Sequence, residues 1–279
     1  MDTAITTKRG LSDFGLKYLA AICMVLDHIH YFFEYTGKVP LIFSQIGRIS
    51  APIFLFCLVE GFCHTQNRLK YFLRIYVISI LMGAIQFSFY NVASGLVRAD
   101  GFFPQNQMLS SFVILLVVLQ GFDWCAKKKW LPGILAIVLP IILPFIAVPL
   151  FTNQSTAFMA NLLAFTLFPL HSAIADGGTA TLLAGIIFYL FRKDRKKQLF
   201  GFVVFTILWD IVRIWFSMPG LQAMDFLTYF YEWLEIFAVI PILCYNGTRG
   251  NGSKTFFYWF YPAHIYVLYL LSCILIRIP

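Results

Sequence analysis

The sequence predicts an all-helical, polytopic membrane protein, and three observations carry that prediction. Of its 279 residues 60% are hydrophobic and only 12% charged, with a mean hydropathy of +0.78; a soluble domain normally carries about twice that charged fraction. Apolar runs recur along the whole chain, at about 14–33, 46–64, 71–91, 106–123, 131–151, 179–191, 198–216, 226–245 and 255–276. Roughly 20 such residues cross the hydrocarbon core of a bilayer. Finally, the basic residues gather in short polar segments: Lys8, Arg9 and Lys17; Arg68, Lys70 and Arg74; Lys127, Lys128 and Lys129; Arg192, Lys193, Arg195, Lys196 and Lys197; Arg249 and Lys254. Clusters beside membrane spans mark cytoplasmic loops. They account for the net charge of +8 without a nucleic-acid partner and leave anionic membrane lipid or substrate phosphates as a secondary role.

The elements follow in order. The first fifteen residues are polar, and no small-residue cleavage site follows the first apolar run, so that run is expected to stay as a signal-anchor. Loops that share one side must enclose an even number of crossings, yet three apolar stretches lie between Lys129 and Arg192. The shortest, 157–170, is therefore expected to be re-entrant or to lie along the outer interface. The alternative is a broken helix over 157–191 around His171 to Gly178; irregular backbone at that depth must be buried in protein or line a cavity. The result is a bundle of about nine spans plus one short segment, N-terminus inside, forming one integral-membrane domain over residues 1–279. Prolines at 132, 140, 144 and 149 predict a bent fifth span. Six cysteines show neither a disulfide framework nor metal-ligand spacing and read as small buried hydrophobes. Internal repeats and inverted symmetry are not evident, which weighs against a transporter.

The chemistry is concentrated in a few polar groups inside these runs. Asp27-His28-Ile29-His30 lies within the apolar segment Leu16 to Phe33, where each charged group costs ~3 kcal/mol on insertion scales. Groups that costly persist where they face the protein interior and act. Asp27 can pair with a histidine or arginine of another helix, and His28, with an ordinary pKa near 6.5, suits a general base; the bland reading is a structural hydrogen bond between helices. In the second span Pro52, Phe56, Glu60 and His64 recur every four residues along one stripe. Arg48 stands roughly 18 Å along the axis from Glu60, so that the arginine and the Glu60–His64 pair would line a groove, unless Arg48 snorkels to the headgroups. Arg68, Lys70 and Arg74, with Tyr71, offer the cytoplasmic mouth a site for a polyanion. Tyr261 and His264, one turn apart beside Pro262, can supply donors for an oxyanion, against the bland reading of an interfacial aromatic cluster. Asp210 and Arg213 are expected to satisfy one another, and Glu232 to face a cavity. A Walker-type phosphate loop is absent, and neither a serine nor a cysteine sits in a motif that marks a covalent nucleophile.

These residues resemble a known family. Leu16-Lys17-Tyr18, Met24, Asp27-His28, Gly47-Arg48, Pro52-Ile53-Phe54, Glu60-Gly61-Phe62, His64-Thr65, Tyr71 and Arg74, then Asp176-Gly177-Gly178 and Phe257-Tyr258 through Tyr261-Pro262-Ala263-His264, are similar to the TraX family, whose founding member is the conjugative F-pilin acetylase. Ser50-Ala51 departs from the family's usual residues before the proline and leaves the chemistry untouched. The resemblance implies a multi-pass acetyltransferase of the bacterial inner membrane. Acetyl-CoA would be the acyl donor, and a peptide, pilin-like or glycan acceptor would take the acetyl by amine or hydroxyl. On that reading Asp27, His28, Glu60, His64 and His264 are the catalytic candidates, and Arg48, Arg68, Lys70, Arg74, Asp176 and Tyr261 bind the cofactor. The competing reading is a proton-coupled transporter or flippase that uses the same intramembrane groups as a relay; a scaffold without chemistry is a third.

Overall fold

The computed structural model describes residues 9–91, 94–217, 220 and 222–276. Its helices are α1 (Asp13–Phe33), α2 (Ile42–Gly47), α3 (Ser50–His64), α4 (Arg68–Asn91), α5 (Met108–Ala126), α6 (Trp130–Ile146), α7 (Val148–Thr152), α8 (Ala157–Phe165), α9 (Gly178–Leu190), α10 (Arg195–Ser217), α11 (Asp225–Thr228), α12 (Val239–Leu243) and α13 (Lys254–Leu275). Short 3-10 turns occupy Glu34–Thr36, Ser94–Leu96 and Glu232–Ala238. Among the described residues β-structure is limited to one isolated bridge, Leu11 to Tyr245. The all-helical membrane class is thus correct.

Among the described residues seven helical segments are long and apolar enough to cross a membrane: Asp13–Thr36, Ile42–His64, Arg68–Asn91, Met108–Ala126, Trp130–Thr152, Arg195–Phe216 and Lys254–Leu275. The expected count of about nine is therefore not reproduced by length and composition. Two of the expected spans take other forms. The sixth, 179–191, is the 13-residue helix α9, about 20 Å long at 1.5 Å per residue and short of a 30 Å core. The eighth, 226–245, is broken into α11, the 3-10 turn at Glu232–Ala238 and α12; Pro241, inside the run, has no N–H to continue the ladder. The stretch 157–170 holds only the nine-residue α8, too short to cross, as its length suggested. In the fifth span Pro140 and Pro144 lie inside α6, and the helix gives way to α7 at Ala147.

The chain divides into two compact units. The first comprises residues up to Glu60 together with Phe191–Lys254. The start of α1 is pinned in it: Leu11 N donates to Cys244 O (2.7 Å), Asn246 N to Leu11 O (2.9 Å), and Asp13 N to Thr248 O (2.9 Å). Ser12 caps α1 by accepting from Gly15 N (3.1 Å), as short hydroxyl side chains do at helix starts. Phe14, Leu16, Phe32, Ile53 and Phe56 are fully buried, and Ser50 Oγ donates to Ala20 O (2.8 Å), tying α3 to α1. Lipid tails are as apolar as these side chains, so such interhelical hydrogen bonds and close packing, rather than hydrophobic burial, hold helices together. The Ser50 departure noted in the sequence is one of those ties.

The second unit comprises Gly61–Leu190 and the segment from Thr255 on. Its centre is α5, where Phe112, Val113, Ile114, Leu115, Leu116, Val118 and Leu119 are all buried. Ser79 and Ser110 hydroxyls meet at 3.0 Å between α4 and α5. Arg98, 5% exposed, joins its own loop to α13: its guanidinium reaches Asp100 (2.8 and 2.9 Å) and Ser272 Oγ (3.1 Å), and its backbone N–H donates to Tyr269 OH (3.1 Å).

Candidate functional site

Asp27 stands in the C-terminal half of α1, and the turn opposite, α2 into Arg48, is built to meet it. Arg48 Nη2 donates to both Asp27 oxygens (2.5 and 2.6 Å), and Ser44 Oγ donates to Oδ1 (2.5 Å). Ser44 in turn accepts from Tyr231 OH (3.1 Å), whose ring lies 5.7 Å from the Arg48 guanidinium. Gly47 makes the approach possible, because any Cβ there would run into the Asp27 side chain. The Gly47-Arg48 pair is thus explained by geometry: one residue admits the carboxylate and the next neutralises it. Arg48 neither snorkels outward nor stands isolated as a phosphate ligand. Asp27 likewise spends its hydrogen-bonding capacity on Arg48 and Ser44. His28, one residue on, is 6% exposed and stands against the rings of Tyr31 (6.2 Å) and Phe32 (6.1 Å).

At another level of the same unit, Glu60 faces Arg195 (3.7 Å), whose guanidinium lies over Phe56 (4.3 Å) and Tyr245 (5.4 Å). The sequence had assigned Arg195 only a loop charge, since no spacing links positions 60 and 195. A further carboxylate group joins α10 to the 3-10 turn. Arg213 reaches Asp210 (3.9 Å) and Glu232 (3.8 Å), and Thr206 Oγ1 donates to Glu235 (3.1 Å). The expected Asp210–Arg213 pairing is present but loose, and Asp210 Oδ2, buried, accepts no hydrogen bond among the described residues. Asp194 accepts from the N–H groups of Lys197 (3.2 Å) and Lys196 (3.1 Å) at the start of α10, and the Lys197 N–H holds its carboxyl below the usual range.

The second unit carries the other candidates. His264 is 9% exposed; its ring stacks on Phe260 (4.8 Å) and Nδ1 lies 2.7 Å from Phe260 O. A carbonyl only accepts, so Nδ1 carries the proton and Nε2 of the neutral ring has the lone pair. Tyr261, whose ring is 5.9 Å away, buries a hydroxyl that donates no hydrogen bond among the described residues. Base-type nitrogen and idle donor thus share one turn of α13. Asp176 leads into Gly177 and Gly178, both with positive φ (+102° and +54°); Gly178 N donates to Ser111 Oγ (2.9 Å). This motif is a backbone device that starts α9 against α5, since side chains rarely adopt that conformation. His171 is structural: Nε2 donates to Ile141 O (3.2 Å), leaving Nδ1 to accept from Thr179 Oγ1 (2.8 Å).

Of the mouth cations, Arg68 is already engaged, paired with Asp123 (2.7 Å) over the Phe62 ring (4.4 Å). Lys127 shares the same carboxylate (2.7 Å), which brings the triple lysine beside the start of α4. Lys70 and Arg74 are exposed there, and His64 is exposed at the end of α3. Asp123 was not among the residues singled out from the sequence, although its i,i+4 spacing to Lys127 is a readable signal.

The chain is similar to the probable fimbrial assembly protein FimC, serogroup H1, of Dichelobacter nodosus, at 24% identity over 266 residues, covering 92% of this chain and 94% of that protein. No solved structure matches it. The family model described as TraX protein matches residues 13–272, nearly every described helix from α1 to α13, and the chain belongs to the TraX family.

Proposed function

We propose that this protein is an acetyltransferase of the bacterial inner membrane that moves an acetyl group from cytoplasmic acetyl-CoA to an amine or hydroxyl of a pilin-like, peptide or glycan acceptor. The observation that carries the reading is TraX family membership over residues 13–272; a relative named as a fimbrial assembly protein favours a pilin-like acceptor. Acyl transfer needs a base to take the acceptor's proton as its N or O attacks the thioester carbonyl. It also needs donors for the resulting oxyanion, and a proton for the departing CoA thiolate. We assign the base to His28, on the turn of α1 that the Asp27–Arg48 pair holds in place. In the second unit His264, with Tyr261 beside it, is the alternative base. Within the second unit, the CoA phosphates are assigned to Lys70, Arg74 and Lys127, Lys127 sharing Asp123 with Arg68. Transfer is direct, without an acyl-enzyme.

The test is turnover of acetyl-CoA by purified protein in lipid nanodiscs, read as free CoA and as acetyl on an added pilin-like peptide. His28→Ala should lower turnover by a factor on the order of 100 to 10,000, the usual loss for such a group, while keeping CoA binding. If His28→Ala turns over normally and His264→Ala does not, the base moves to His264. A folded wild-type protein that neither binds nor consumes acetyl-CoA, yet carries protons in vesicles, would replace the enzyme reading by the relay.

A further inference from the structure

The second unit contains a pocket of about 170 Å³ that no part of the proposed chemistry uses. Phe151, Phe165, Leu170, Ala173 and Ile174 supply apolar walls, and Gln107 and Asn161 the polar ones. Gln107 is 9% exposed, and its Nε2 donates to nothing among the described residues. A buried amide without an acceptor costs ~1–3 kcal/mol, so the pocket has a built-in demand for a carbonyl or similar oxygen. Asn161 offers less, because its own amide nitrogen donates to Ala157 O (2.8 Å).

The level of the pocket indicates where that oxygen comes from. Gln107 immediately precedes α5, whose far end carries Lys127, Lys128 and Lys129. Nineteen residues rise about 28 Å, close to the ~30 Å hydrocarbon thickness. With the lysines at one face, Gln107 stands at the opposite face, at the level where acyl chains meet headgroups and glycerolipids hold their ester carbonyls. A single water would satisfy the amide but leave the apolar walls bare. A cavity of ~150 Å³ holds a six-carbon ring, so this one has room for a short length of acyl chain.

We propose that this pocket is a specific site for a glycerolipid of the leaflet opposite the lysine loop. One acyl chain lies against Phe151, Phe165 and Leu170, and its ester carbonyl accepts from Gln107 Nε2. The site is independent of the acetyl-transfer reading.

The experiment is native mass spectrometry of the full chain released from nanodiscs of equal parts dioleoyl phosphatidylglycerol and its diether analogue, which lacks the ester carbonyl. Wild type should retain the ester lipid roughly three- to ten-fold over the ether, the range of one neutral hydrogen bond. Gln107→Leu should bring that ratio to one, and Ala173→Trp, placed at an exposed position, should fill the pocket and lose the retained lipid. Equal retention of ester and ether by wild type overturns the proposal. So does an ester preference that survives Gln107→Leu, or lipid retention unchanged by Ala173→Trp.

Discussion

At the scale of single residues, Asp27 shows how a costly group is kept in an apolar helix. Its carboxylate is balanced by one guanidinium nitrogen and one hydroxyl, and charge-assisted bonds of this kind are worth ~1.5–3 kcal/mol. Asp27→Asn should therefore lower stability in detergent by about that amount, measured by thermal unfolding. Gly47→Ala should cost at least as much, because its methyl group occupies the space of the Asp27 side chain. Equal unfolding midpoints for wild type and Gly47→Ala would mean α1 and α2 do not approach as described. The sequence marked Asp27, Gly47 and Arg48 by their type and place. It left open whether Asp27 faced a histidine or an arginine, and it was silent about Tyr231, whose contact with Ser44 spans 187 positions.

At the scale of elements, two junctions make measurable claims. In the loop before α5, Arg98 donates to Asp100 and thereby holds that carboxyl below its ordinary range. A carboxyl lowered in the folded state adds stability that is complete above its unfolded value, ~3.9, and disappears as pH falls through the folded one. Asp100→Asn should therefore unfold earlier than wild type at pH 7, with the gap closing toward pH 3; a gap that is constant across that range removes the ion pair as its cause. The start of α4 and the end of α5 form the second junction, where Arg68 and Lys127 share Asp123 and Lys70 and Arg74 are exposed on α4. Arg74→Ala should weaken CoA binding roughly ten- to a hundred-fold at low salt, consistent with loss of a well-formed phosphate contact. Lys38→Ala, an exposed change in the turn before α2, serves as control. Calorimetry that gives equal affinity for wild type and Arg74→Ala would move the phosphates elsewhere.

At the scale of the molecule, the basic segments still dictate orientation. Within the first unit the backbone bonds of Leu11 and Asp13 bring the start of α1 beside the Arg249 loop; within the second, Asp123 joins the Arg68 and Lys127 segments. Segments that were only expected to share a side thus meet. Reporter fusions at Lys128, Arg195 and Gly250 should all read as cytoplasmic; an external reading at Arg195 would mean that α9 does not return the chain across the membrane.

Composition, apolar run length and basic loops by themselves determined the helical membrane class and the order of the long helices, because a bilayer constrains length and backbone pairing so tightly. They also picked out the costly intramembrane groups, since few residues of that kind are tolerated there. The tertiary structure decided what periodicity does not encode. It broke the run at 226–245, turned Asp176-Gly177-Gly178 into a backbone device, and gave Asp27 to Arg48, Glu60 to Arg195 and Arg68 to Asp123. Those pairings depend on which helix faces which, and that is fixed by packing between segments distant in sequence rather than by any local pattern along the chain.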